Sequence, residues 1–159
     1  MKISFIILNI WNSVNILEKV FKLAVDMLGS ETKPHEILRG LEQSLLRNIN
    51  YKFYLFGDSK LIRKKIDKFK NLHKVTELID CSDSISMQDK PSDIIKTKKS
   101  SSMYLAIKSV EEKNSDALLS FGNTGALMTL SLLNIKTLSE IKRPSIASIW
   151  PNMKGESIV

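Results

Sequence analysis

Asp116-Ala-Leu-Leu-Ser-Phe-Gly-Asn-Thr-Gly-Ala-Leu-Met-Thr-Leu-Ser-Leu-Leu133 reads as an apolar strand, a four-residue turn with glycine at both ends, and an apolar helix. A strand that enters a helix through Gly122-Asn123-Thr124-Gly125 leaves backbone N–H groups unpaired at the helix start, where the helix dipole adds roughly half a positive charge. Glycine permits positive φ and the close approach of an anion, while the Asn123 amide and Thr124 hydroxyl can add side-chain hydrogen bonds. The turn is therefore a candidate phosphate cradle. It serves a ligand-free strand-to-helix connection equally well.

The same alternation extends outward from this stretch. Leu23–Asp26 is a short strand, and Pro34 opens a helix whose buried stripe is Ile37, Leu38, Leu41, Leu45 and Leu46. Tyr51–Phe56 is an apolar run broken only by Lys52, the pattern of a strand covered on both faces. Asp58 or Ser59 can cap a helix in which Ile62, Ile66 and Phe69 face inward. Thr76–Cys81 is a third strand and Ser82–Pro91 a polar connection. Lys96–Ser102 is a basic, hydroxyl-rich entry to a helix carrying Met103, Ala106, Ile107 and Val110. There the serines can cap alone, or Lys98, Lys99 and the hydroxyls can assist an anion. Asp116–Phe121 is the fourth strand, Ala126–Ile135 its following helix and Ser145–Trp150 a fifth strand. Such alternation predicts a three-layer α/β/α fold with a mostly parallel sheet, Rossmann-like, whose ligands gather at the carboxyl ends of the strands. Gly29 and the Gly122–Gly125 turn both follow strands closely, so they fall on that edge.

With 159 residues, 43% of them hydrophobic, the chain suits one packed domain. Its net charge of +7 suits an anionic partner: phosphate, an acidic carrier protein or a membrane surface. Zinc-finger spacing and the aromatic-plus-basic signature of an RNA-binding sheet are both missing, and Arg63-Lys64-Lys65 falls on an ordinary helix face, so no nucleic acid is expected. The single cysteine, Cys81, fits a reducing compartment, most simply the cytoplasm, and neither His35 nor His73 is placed by sequence beside it. Two histidines and one cysteine give no expectation of a structural zinc site, and no metal ligands are assigned, while carboxylate-bound magnesium stays open. Ile6, Ile10, Val14, Leu17 and Phe21 have helical spacing, which predicts an amphipathic helix packed on the body, with peripheral contact to the inner face of a membrane as the alternative.

Three motifs in order are P-S-D-I-I-K-T-K-K-S-S-S-M (Pro91 to Met103), S-F-G-N-T-G-A-L-M (Ser120 to Met128) and R-P-S-I-A (Arg143 to Ala147). Together they resemble the bacterial phosphate acyltransferase family of phospholipid synthesis, PlsX. The resemblance runs from Leu23 to Val159, leaving residues 1–22 as an extension without family counterpart. At the first loop the family's D-A-M-G-G-D is Asp26-Met27-Leu28-Gly29-Ser30-Glu31 here, with Ser30 and Glu31 replacing a glycine and an aspartate. The resemblance implies transfer of a fatty acyl group from acyl carrier protein to inorganic phosphate, without a cofactor, and it admits a homodimer. It implies substrate binding by Gly122, Asn123, Thr124, Gly125, Lys98, Lys99, Ser101, Ser102, Asp26 and Gly29, and points to no catalytic nucleophile. Family chains are much longer, and Gly155–Val159 reads as the start of another strand, so the expectation is a truncated N-terminal half. The alternatives are a remnant inactive alone and an unrelated anion-binding α/β module.

Overall fold

In a computed structural model of the chain, strand β1 (Phe5–Leu8) lies antiparallel to the last of four mutually parallel strands. These are β2 (Phe21–Asp26), β3 (Tyr51–Gly57), β4 (Thr76–Asp80) and β5 (Ala117–Ser120). The order across the sheet is β1-β5-β2-β3-β4. The structure describes residues 5–8, 20–47, 50–135, 137, 139–141, 145–153 and 155–158. Helices α1 (Pro34–Ser44), α2 (Ser59–Ile66) and α3 (Lys70–Lys74) cover one face, and α4 (Pro91–Thr97), α5 (Ser102–Glu111) and α6 (Thr124–Asn134) the other.

Alternation of side chains along each strand divides the core in two. Val25, Phe53 and Leu55 point to the α1–α3 layer, where they meet Ile37, Leu38, Leu41, Ile62, Ile66 and Leu72. Ala24, Phe56 and Leu118 point the other way, to Met103, Ala106, Ile107 and Val110 of α5 and to Ala126, Leu127 and Leu130 of α6. The expected α/β/α layering is present. Cover is incomplete beside α5, where Tyr54, Ile79, Tyr104 and Leu105 line a groove of about 560 Å³. Tyr54 is accordingly only half-buried, although its strand reads as covered on both faces.

Several element boundaries differ from the sequence reading. Phe5–Leu8 is a strand rather than part of an amphipathic helix, because its backbone pairs with β5 residue for residue; the rest of that helix, up to residue 19, lies outside the described residues. The first parallel strand begins at Phe21, two residues early. The helix expected to reach Phe69 ends at Ile66, where Lys68 and Phe69 close tight i→i+3 bonds onto the carbonyls of Lys65 and Ile66. Pro91–Thr97 forms a helix within what reads as a loop and a basic entry, with proline at its start. The fifth strand does not join the parallel sheet. Instead β6 (Ile149–Asn152) pairs antiparallel with β7 (Gly155–Ile158), because the short Asn152-to-Gly155 connection folds the chain back on itself. Arg143 and Pro144 lie outside the described residues. Helix α6 is apolar almost all round, and Met128, Leu132 and Leu133 remain exposed on it, as do Ile149, Trp150 and Ile158 of the hairpin.

The loop after β2 fixes the carboxyl edge of the sheet. Gly29 has φ +72°, and a Cβ there would sit 2.1 Å from the carbonyl oxygen of Ile85, itself buried. Ser30, by contrast, is not left-handed, so serine costs nothing there; its Oγ accepts a hydrogen bond from the Thr32 amide at 2.9 Å. Gly29→Ala should therefore destabilise the fold by about 2 kcal/mol or more, combining a disfavoured φ with a backbone clash. The check is the urea midpoint at constant slope; an unchanged midpoint would mean that the Ile85 loop does not pack on Gly29.

Candidate functional site

Asp26 ends β2, and its carboxylate is buried, with 1% of the residue exposed. Its Oδ1 accepts from the Ser102 hydroxyl at 2.6 Å and from the Leu28 amide at 3.2 Å; its Oδ2 accepts from the Ser120 hydroxyl at 2.8 Å. One side chain thus ties the end of β2 to the start of α5 and to the end of β5. Desolvation pushes its carboxyl above the ordinary carboxylate range, against the opposing pull of the hydrogen bonds from Ser102, Ser120 and Leu28. Ser120 carries the link one step further. Its Oγ, whose O–H donates to Asp26, also accepts from the Gly122 amide at 3.2 Å.

The turn that follows is held from two sides. Asn123 caps α6, its Oδ1 accepting from the Ala126 amide at 3.0 Å. Its Nδ2 donates to the carbonyls of Ser86, Met87 and Asp89 at 3.1, 3.3 and 3.2 Å. Sequence reading offered the Asn123 amide to a ligand; in the fold both ends of it are engaged with backbone, and the residue is buried. What remains at the helix start is backbone. The amides of Asn123, Thr124 and Gly125 and the Thr124 hydroxyl have no hydrogen-bond partner among the described residues, and the first turn of α6 carries no acidic side chain. At α2, on the same edge, acids fill that role: Asp58 accepts from the Leu61 amide, and Asp80 from the amide and hydroxyl of Ser59. The α6 start is thus a partly open set of N–H donors that can accept an anion.

Lys98, Lys99, Ser101 and Ser102 are distributed differently from the expectation. Lys98 Nζ lies 2.9 Å from Asp83 Oδ1, and the pairing holds the Asp83 carboxyl below and the Lys98 ammonium above their ordinary values. Ser101 is buried as the cap of α5, accepting from the Tyr104 amide and donating to the Lys98 carbonyl at 2.7 Å. Ser102 is buried against Asp26. Their hydroxyls are thus engaged within the fold, as is the carboxylate of Asp26, which the resemblance assigns to substrate. Lys99 is exposed. Gly29 touches the site through its carbonyl, which a Cβ on Gly122 would approach to 3.5 Å. The Asp83–Asp89 segment runs between the two groups, receiving Lys98 at one end and Asn123 at the other.

Cys81 offers no nucleophile. Burial pushes its thiol up to about 11, so it stays protonated near neutrality, and Sγ donates to the Ile79 carbonyl at 3.3 Å. His35 packs on the ring of Phe69, and His73 lies 4.0 Å from Asp67. Among the described residues no group of three or more histidine, cysteine or acidic side chains is placed to hold a metal ion, and no helix is long and apolar enough to cross a membrane. Ser120 and Asp83 escaped the sequence reading. The signal for Ser120 was a hydroxyl closing an otherwise apolar strand directly before the turn; Asp83 left no signal in its polar loop.

Residues 21–159 match the model of a family described as fatty acid synthesis protein. A phosphate acyltransferase of Rhodopseudomonas palustris (strain BisB18) is 40% identical over 139 residues, which are 87% of this chain and 39% of that protein. One of Pelagibacter ubique (strain HTCC1062) is 37% identical over 143 residues, 90% of this chain and 42% of that protein. Another, of Rhodopseudomonas palustris (strain HaA2), is 41% identical over 139 residues, with 87% and 39% covered. The chain spans about two-fifths of the length of these curated relatives.

The double role of Asn123 separates two substitutions. Asn123→Ala removes the cap and the donor to three carbonyls and should cost about 2–4 kcal/mol. Asn123→Asp keeps a good cap but sets a carboxylate against those carbonyls, so it should cost at least as much as alanine. Urea denaturation of both variants checks this; an aspartate variant as stable as the parent would remove the carbonyl clamp from the account.

Proposed function

The chain belongs to the fatty acid synthesis protein family, that of the bacterial phosphate acyltransferases, and from this premise we propose that its α6 turn binds the phosphate of an acyl transfer reaction. The observation that carries the reading is the set of unpartnered Asn123, Thr124 and Gly125 amides at the carboxyl edge of the sheet, beside the Thr124 hydroxyl. In the proposed reaction a phosphate oxygen attacks the thioester carbonyl of an acyl carrier protein, the C–S bond breaks, and the sulfur leaves as the carrier's thiol. The product is an acyl phosphate for phospholipid synthesis. Phosphate is the nucleophile, so the protein has to position two anionic partners and supply fixed donors, and it needs no covalent nucleophile of its own. The inert Cys81 thiol accords with that.

Acyl carrier protein is acidic, and the net charge of +7 supports docking of such a partner, with Lys99 as an exposed cation following the Asp83–Lys98 pair. A second reading, in which the chain acts only with a complementary polypeptide, is favoured by the apolar side chains exposed on α6 and the hairpin. A location at the inner face of the membrane and assembly as a homodimer belong to this proposal as well.

The assay is phosphate-dependent release of free acyl carrier protein from its acyl form, by the chain alone and by the chain co-expressed with the remaining portion of the Rhodopseudomonas palustris relative. Release in either arm is expected to fall about tenfold or more in Thr124→Val, as one donor to a charged ligand is lost. Release in neither arm would sink the enzymatic reading. Release that is indifferent to Thr124→Val would move phosphate away from α6.

A further inference from the structure

We infer that Asp26 is a positioning residue for the anion-binding turn, acting through Ser120 and never touching the ligand. The inference rests on the phosphate reading above and adds how that site is held in shape. The chain of contacts is short and directional. Asp26 accepts a hydrogen bond from the Ser120 hydroxyl at 2.8 Å, which leaves the lone pairs of Ser120 Oγ facing the Gly122 amide at 3.2 Å. Gly122 N–H is thereby used internally, whereas the next three amides have no partner among the described residues. Only a carboxylate does this without ambiguity. In its ionised form it accepts and cannot donate, so both serine protons then point at it. A neutral amide at the same place would donate to one serine, whose proton would turn elsewhere and compete for the orientation of the turn.

Burial of this charge opposes stability, which separates positioning from mere structure. The carboxyl is raised in the folded chain relative to the unfolded one, so the folded state holds the proton more tightly. Its contribution to stability then falls as pH rises from the unfolded value through the folded one. Among the described residues, the other titratable group coupled to it is the neutral Cys81 thiol. A residue kept only for stability would be better neutral. A residue that must orient two hydroxyls cannot be.

The test compares the parent with Asp26→Asn, Ser120→Ala and the double variant. It measures thermal midpoints, amide hydrogen exchange at Gly122, and calorimetric titration with inorganic phosphate. Asp26→Asn is expected to melt no lower than the parent yet to bind phosphate about tenfold more weakly, with Gly122 exchanging faster. Ser120→Ala should show the same weakening, and the double variant should be no worse than either single one, since both act on one path. Parental phosphate affinity in Asp26→Asn, or additive losses in the double variant, would overturn the inference. Should Asp26→Asn fail to fold, Ser120→Ala decides, because it cuts the same path with the carboxylate intact. If the parent itself binds no phosphate, the anion reading fails and Gly122 exchange judges the inference alone: unchanged exchange in both variants overturns it.

Discussion

A single buried carboxylate determines how the carboxyl edge of this sheet is assembled. Asp26 gathers the end of β2, the start of α5 and the end of β5 around one point, by hydrogen bonds to Leu28, Ser102 and Ser120. Removing it would leave two buried hydroxyls without their acceptor at a junction of both helical and sheet layers, at a cost of about 1–3 kcal/mol for each unpaired group. The neighbouring constraints all lean on that junction. Gly29 must be left-handed to let the Ile85 carbonyl pass, and Gly122 packs beside Gly29 and Met103.

From that junction the chemistry follows by subtraction. Side chains that look available in the linear sequence are consumed in holding the fold: Asn123 by three carbonyls and a helix cap, Ser101 by the α5 cap, Ser102 by Asp26, Lys98 by Asp83. Among the described residues of the site, the donors left over are backbone amides at the α6 start, the Thr124 hydroxyl and the exposed Lys99. Fixed amides at a helix start suit a reaction whose nucleophile and developing charge both sit on oxygen, because they need no reorganisation as charge moves.

Much of this was legible in the residues before any fold was known. The alternation of Tyr51–Gly57, α2, β4 and the Asp116–Leu133 unit specified parallel strands with helices between them, and the glycines of the α6 turn marked the edge where ligands gather. The partner of Ser102 was not legible, because Asp26 lies 76 residues earlier and only packing brings the two together. Phe5–Leu8 was ambiguous for a different reason: a short apolar run fits helix or strand, and the available edge of β5 decides it. Ser145–Trp150 has the composition of a buried strand, yet the turn before Gly155 sends it into a hairpin. Local pattern therefore located the turn, while long-range pairing determined which of its groups remain open.

The proposed function depends on phosphate binding by the amides at the start of α6. Its most direct measurement is a titration of the ¹⁵N-labelled chain with inorganic phosphate at constant ionic strength, following backbone amide resonances by NMR. Saturable shifts are expected at Asn123, Thr124 and Gly125, with Gly122 changing little because its N–H is already bonded to Ser120. Shifts confined to lysine-rich surface segments, or no saturable shift at these three amides, would contradict it.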